Sequence, residues 1–249
     1  MRKIGIVGGV AWPSTVEYYS GLCRLSGRLH RGKGLSGVIS TPEIVIESLD
    51  LRKAVSYLGI DGDDTSWTRF DRYHREALAR LEASGAKIAL MASNTPHHRF
   101  REITSGIGIP VINIFETAAA AGARAGGINI LVLGTRQTMQ SSGIRDAFAD
   151  KGLRARGLRD KAMIGKTEAL IAKLQAGERA GTATQLAMIV ESELKGGGYG
   201  TRPIVCLACT ELPLAFAGHD NEATFDADGV TYIDTPAAHI NAAFAMALN

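Results

Sequence analysis

A chain of 249 residues is long enough for one large α/β domain or two small lobes with a well-buried core. Its 28 basic and 25 acidic residues leave a net charge of +3 and form no Lys/Arg block, which excludes the electrostatic footprint of a nucleic-acid binder. With 45% apolar residues, no run of membrane-spanning length and three cysteines, the composition suits a soluble cytoplasmic protein without a disulfide framework.

In chain order, short β-branched runs alternate with helical segments. The apolar start, IGIVGG, is too short and too glycine-broken for a signal peptide and predicts a first strand over 3–7. Pro13-Ser14-Thr15 then opens a helix over 14–29. A strand over 37–39 precedes a polar loop at 57–65, which is at most a lid, and a helix over 68–84. The run IALMA predicts a strand over 88–92, followed by a helix over 97–105, a strand at 111–112 and a helix over 114–125. The second half repeats the alternation: strands over 129–133, 154–157, 204–207 and 231–233, and helices over 141–151, 164–176, 183–195 and 237–248.

This alternation predicts an α/β fold with parallel sheets built from βαβ units. IGIVGG is echoed by INILVLGT at 128–135, and each is followed by an apolar strand ending in a polar turn, at Ser93 in one case and Cys209 in the other. The repeat predicts two Rossmann-like lobes related by approximate two-fold symmetry, with the active site in the cleft between them. The expected division is 1–115 plus 210–249 for the lobe carrying Ser93, and 116–209 for the lobe with Cys209 at its edge.

Several residues could carry chemistry. Cys209 follows a strand and precedes Thr210-Glu211-Leu212-Pro213; a thiol at such a turn is either a thiolate stabilised by backbone N–H groups or a buried packing group. Cys206 and Cys209 form C-x-x-C, but an extended strand puts them on opposite faces, against a redox pair or zinc site. Cys23 falls within a helix, as packing. Gly5, Gly8 and Gly9 form G-x-x-G-G rather than a dinucleotide fingerprint, and serve either a tight turn or close approach to a small ligand. His97 and His98 are adjacent on a helix and so poorly placed to chelate one ion, though His97 could orient a site group. Thr135 ends a strand, as an anion donor or a helix cap.

Five motifs in order, IGIVGGVAWPST, SNTPH, LVLGTRQTM, LACTELPL and DTPAAH, resemble the aspartate/glutamate racemase family over nearly the whole chain. The resemblance implies an amino-acid racemase or epimerase, homodimeric, cytoplasmic and independent of pyridoxal phosphate or metal, acting on a free amino acid with no nucleic-acid or membrane partner. A thiol on each side of the α-carbon would remove and return the proton. By position it assigns Cys209 as one acid/base group and Ser93 as the other. It assigns Asn94, Thr95, Thr135 and Thr210 to the carboxylate and ammonium, and Gly8 and Gly9 to close backbone approach, beside Trp12. Glu211 and His97 become supporting residues behind them.

The sequence departs from the family in two places. Ser93 stands where the family has a cysteine, and its hydroxyl is far less acidic than a thiol. An engineered exchange, a natural one-thiol member or a redirected scaffold would each account for it. The cations that grip a distal carboxylate are also missing: Glu47 and Gln175 fall at their places, so Lys166 or Lys173 would have to substitute, or Glu47 or Asp50 would meet a neutral or basic side chain. The rival readings are isomerisation or decarboxylation of a small dicarboxylic acid, and ligand binding without turnover.

Overall fold

The computed structural model describes residues 1–32, 40–60, 62–216, 218, 219 and 221–249. The strand expected over 37–39 lies outside the described residues. Two compact units divide the chain, 1–113 with 240–249 and 114–239.

The first unit runs β1 (Ile4–Gly8), α1 (Trp12–Gly32), β2 (Ile44–Ser48), α2 (Leu51–Ser56), a 3-10 turn over Asp64–Trp67, α3 (Thr68–Ala83), β3 (Ile88–Met91), a 3-10 turn over Thr95–Arg99 and α4 (Phe100–Thr104). Its strands are parallel in the order β2-β1-β3. A parallel bridge between Ala89 and Val111 extends the row by one short contact, which is all that forms of the strand expected at 111–112. Every residue of β1 and β3 is buried, as a central strand covered on both faces requires.

The second unit runs α5 (Ile114–Ala125), β4 (Asn129–Gly134), α6 (Arg136–Gln140), α7 (Ser142–Ala149), β5 (Arg154–Gly157), α8 (Lys161–Gln175), α9 (Thr182–Leu194), β6 (Ile204–Ala208), a 3-10 turn over Leu212–Ala215, β7 (Thr224–Ala227) and β8 (Val230–Asp234). The last helix, α10 (Thr235–Leu248), begins in this unit and ends in the first. The sheet order is β5-β4-β6-β8-β7, parallel except for the edge strand β7. The order β5-β4-β6 repeats β2-β1-β3, so the echo between IGIVGG and INILVLGT is an echo of topology.

Three differences from the sequence expectations have clear causes. The boundary drawn at 209/210 falls inside the second unit, because β8 pairs with β6 and holds 210–239 there; the chain rejoins the first unit only at Ile240. β2 forms in STPEIVIESLD, where no strand is expected: the stretch is charged, but an edge strand needs only partial burial. The hairpin of β7 and β8 turns on Asp228 and Gly229, with φ of 50° and 76°. Asp-Gly in a two-residue loop is a strong hairpin signal, and it stood unread in the sequence. Elsewhere caps fixed the ends: Asp160 accepts from the backbone of Ala162 and Met163, which starts α8 three residues ahead of the expected Ile164.

Candidate functional site

In an open α/β sheet, ligands gather beyond the carboxyl ends of the strands where the strand order reverses. Each unit has one such point, between β1 and β3 in the first and between β4 and β6 in the second. The polar turns singled out from sequence sit at these two points.

In the first unit, Ala92 donates its N–H to the Val7 carbonyl at 2.8 Å, so the Ser93 turn emerges beside Gly8 and Gly9. The glycines are fixed by packing. A Cβ on Gly8 would lie 2.6 Å from the Thr15 side chain. Gly9 has φ of 81°, and a Cβ there would lie 2.2 Å from the Leu49 carbonyl oxygen. Its N–H donates to the Thr15 hydroxyl at 2.9 Å, closing the strand-to-helix turn. Thr15 was missed from sequence, though its place in the first turn of α1 was the available signal. Trp12 starts α1 and is 62% exposed.

Ser93 is half-buried, and among the described residues its hydroxyl has no hydrogen-bond partner. Asn94, buried, caps the 3-10 turn that Thr95 begins, and its carbonyl accepts the His97 N–H at 3.0 Å. The segment expected to be a helix over 97–105 is therefore this 3-10 turn followed by α4. The His97 ring stacks on Phe100 and reaches the Met91 carbonyl at 3.4 Å, tying the turn to the end of β3. Arg99 anchors the far side, pairing with Asp71 at 3.0 Å and with Asp64. This brace between the turn, α3 and the 57–65 segment had no legible pattern in sequence.

Glu47 and Asp50 each have a partner in the first unit. Glu47 lies in β2, and its carboxylate takes the Arg80 Nε–H at 2.7 Å. Asp50 accepts from the backbone of Arg52 and Lys53 as the cap of α2. Both acids are thus engaged within the first unit.

In the second unit, Gly134 pairs with Ala208 across β4 and β6, and a Cβ on Gly134 would meet the Ala208 carbonyl oxygen at 2.5 Å. That close approach sets Thr135 beside Cys209. Thr135 caps α6, its hydroxyl accepting the Thr138 N–H at 3.3 Å. Val205, Leu207 and Cys209 pack in one core cluster while Ile204, Cys206 and Ala208 pack in another, which puts the two cysteines on opposite faces of the sheet. All three cysteines are free thiols.

Cys209 is 5% exposed. Its Sγ–H donates to Glu211 Oε2 at 2.9 Å, and the Thr210 hydroxyl donates to both Glu211 oxygens at 3.2 Å. Burial pushes the Cys209 thiol well above its ordinary value, and the Glu211 carboxylate adds to the shift. Of the two readings of this turn, a stabilised thiolate or a buried thiol, the second holds: the group rests as a thiol, with an acceptor for its proton already hydrogen-bonded to it. Thr210, assigned by resemblance to the substrate, has its hydroxyl hydrogen-bonded to Glu211. Among the described residues no group of three His, Cys, Asp or Glu side chains could hold a metal, and no helix is long and apolar enough to cross a membrane.

A family model described as Asp/Glu/Hydantoin racemase matches residues 7–243. A glutamate racemase of Beutenbergia cavernae is 33% identical over 128 residues, which are 45% of this chain and 41% of that protein's own length. The fold is similar to that of an aspartate racemase homologue from Pyrococcus horikoshii, with a TM-score of 0.74, 24% identity and all of both chains covered. It is also similar to that of the aspartate racemase of Picrophilus torridus, with a TM-score of 0.73, 17% identity, and 99% of this chain and 94% of that one covered. The chain belongs to the Asp/Glu/Hydantoin racemase family.

Proposed function

We propose that the protein is an amino-acid racemase that works without a cofactor, with Cys209 as its competent acid/base group and Ser93 as a weak opposite partner. The observation that carries this reading is the Cys209–Glu211 hydrogen bond of 2.9 Å at the strand-order reversal of the second unit. The family relationship supports the reaction class.

The steps follow from the groups present. Glu211 Oε2 takes the Cys209 proton along the existing hydrogen bond, leaving a thiolate. The thiolate removes the substrate's α-proton and becomes a thiol again, and negative charge spreads from the α-carbon into the carboxylate. Returning the proton from Cys209 to the same face regenerates the starting amino acid. Inversion instead requires a proton delivered to the opposite face. The reading assigns that delivery to the Ser93 hydroxyl, which can give up its proton only as it receives one from solvent, because among the described residues no base is hydrogen-bonded to it. Exchange with solvent should therefore outrun inversion.

The substrate side chain is open to test with L-aspartate, L-glutamate, homoserine, lysine and ornithine in heavy water. Deuterium entering the α-position of at least one, and lost on Cys209→Ser, is the expected result. Incorporation into none of them, by the protein or by Ser93→Cys, would sink the racemase reading in favour of ligand binding. Turnover of a small dicarboxylic acid would favour the isomerase or decarboxylase.

A further inference from the structure

Away from the Cys209 turn, the second unit holds a cavity of about 560 Å³ between α9 and the β7–β8 hairpin. It opens beside Pro203 and Val230, at the amino ends of β6 and β8, whereas Cys209 follows the carboxyl end of β6. Its size falls within the range of small-ligand sites. Val190, Leu194 and Val230 give it an apolar lining.

Two polar groups stand out against that lining. Tyr232 is 1% exposed, yet among the described residues its hydroxyl has no hydrogen-bond partner. The ring cannot swing away to find one, since it is stacked on Phe225 at 5.4 Å and packed against Phe216 at 4.9 Å. Burial, with the Asp228 carboxylate second, pushes the Tyr232 hydroxyl up to about 12, so it keeps its proton. Asp228 is exposed at the tip of the hairpin, and among the described residues no cation pairs with it. The neighbouring Glu191 is already neutralised by Lys195 at 2.9 Å. The rim thus carries one uncompensated negative charge above an apolar floor.

We infer that this cavity is a second small-molecule site, for a primary ammonium ion with an apolar body. The ammonium would donate to the Asp228 carboxylate and the Tyr232 oxygen, and the body would lie on Val190, Leu194 and Val230. The site is independent of the chemistry at Cys209.

The test is calorimetric titration of the full chain with phenethylammonium, phenethyl alcohol and phenylacetate, which share a body and differ in charge. The ammonium should bind about tenfold more tightly than the alcohol, since charge-assisted hydrogen bonds are the stronger kind, and phenylacetate should bind weakest. Asp228→Asn keeps a residue that accepts the hairpin's positive φ and should erase the preference for the ammonium. Tyr232→Phe removes only the hydroxyl and should weaken ammonium binding about threefold to tenfold. Either variant should leave α-proton exchange at Cys209 unchanged. Equal binding of the three probes, no binding of any, affinities that ignore both substitutions, or displacement of the ammonium by the amino acids exchanged at Cys209 would each overturn the assignment.

Discussion

The turns after β3 and β6 occupy equivalent places in two sheets of the same strand order, yet they are equipped differently. Cys209 is buried and hydrogen-bonded to a carboxylate that also receives a hydroxyl. Ser93 is half-buried and, among the described residues, its hydroxyl has no partner. The surroundings of the Ser93 turn serve its shape: Thr15 clasps Gly9, His97 holds the end of β3, and Arg99 ties the turn to α3. On the proposed function, one turn moves a proton while the other holds its form.

The largest effect that would break this contrast is at the thiol. Cys209→Ser should cut α-proton exchange by about a thousandfold, within the usual range for a general acid/base, read by proton NMR in heavy water. A loss no greater than that from Ser93→Ala would mean the two turns contribute alike.

Glu211 gives a sharper, two-signed test. Its carboxylate helps keep the Cys209 thiol neutral, so Glu211→Gln should lower that thiol's pKa and speed its alkylation by iodoacetamide at neutral pH. The same change removes the acceptor of the thiol proton and should slow α-proton exchange about tenfold to a hundredfold. Both rates moving in the same direction would show that Glu211 only sets the electrostatic background.

Gly9→Ala tests the turn built for shape. The residue has φ of 81° and its new methyl would meet the Leu49 carbonyl, so a loss of about 2–4 kcal/mol in urea unfolding is expected. A neutral outcome would mean the β1–α1 turn can relax.

A pH-dependent effect concerns His74, a fully buried imidazole of the first unit. Its Nδ1 lies 2.9 Å from the Phe70 carbonyl, and burial lowers its pKa from 6.5 to about 4. The unfolded chain therefore binds a proton there that the folded chain refuses until pH falls to about 4. The contribution is complete above pH 6.5 and is lost progressively between 6.5 and 4, by about 3 kcal/mol. Denaturation at pH 7 and pH 4.5 should show a smaller acid loss in His74→Phe than in the parent chain; identical losses would contradict it.

Much of this was legible in the sequence because it was written in apolar runs and glycines. The strands IGIVG, IALM, NILVLG and IVCLA are nearly all apolar, and their repeat located both turns. The opposite facing of Cys206 and Cys209 followed from strand geometry alone. What was hidden depends on partners far apart in the chain. Nothing near Glu47 announces Arg80, and nothing near Arg99 announces Asp71 and Asp64. Which of the two readings of Cys209 holds was hidden for the same reason. A turn suggests a stabilised thiolate, but burial and the Glu211 carboxylate, visible only once folded, outweigh it. The Asp228-Gly229 hairpin is a local signal for β7, whereas the place of 210–239 rests on the long-range pairing of β8 with β6.

The central claim is that proton removal is strong on the Cys209 side and proton delivery weak on the Ser93 side. The most direct measurement incubates one enantiomer of an accepted amino acid in heavy water and follows, in the same sample, deuterium in the starting enantiomer and appearance of its antipode. The account predicts that deuterium enters the starting enantiomer well before the antipode accumulates, and that Ser93→Cys brings the two rates together by raising inversion about a hundredfold. Inversion that keeps pace with exchange in the parent chain, unchanged by Ser93→Cys, would contradict it.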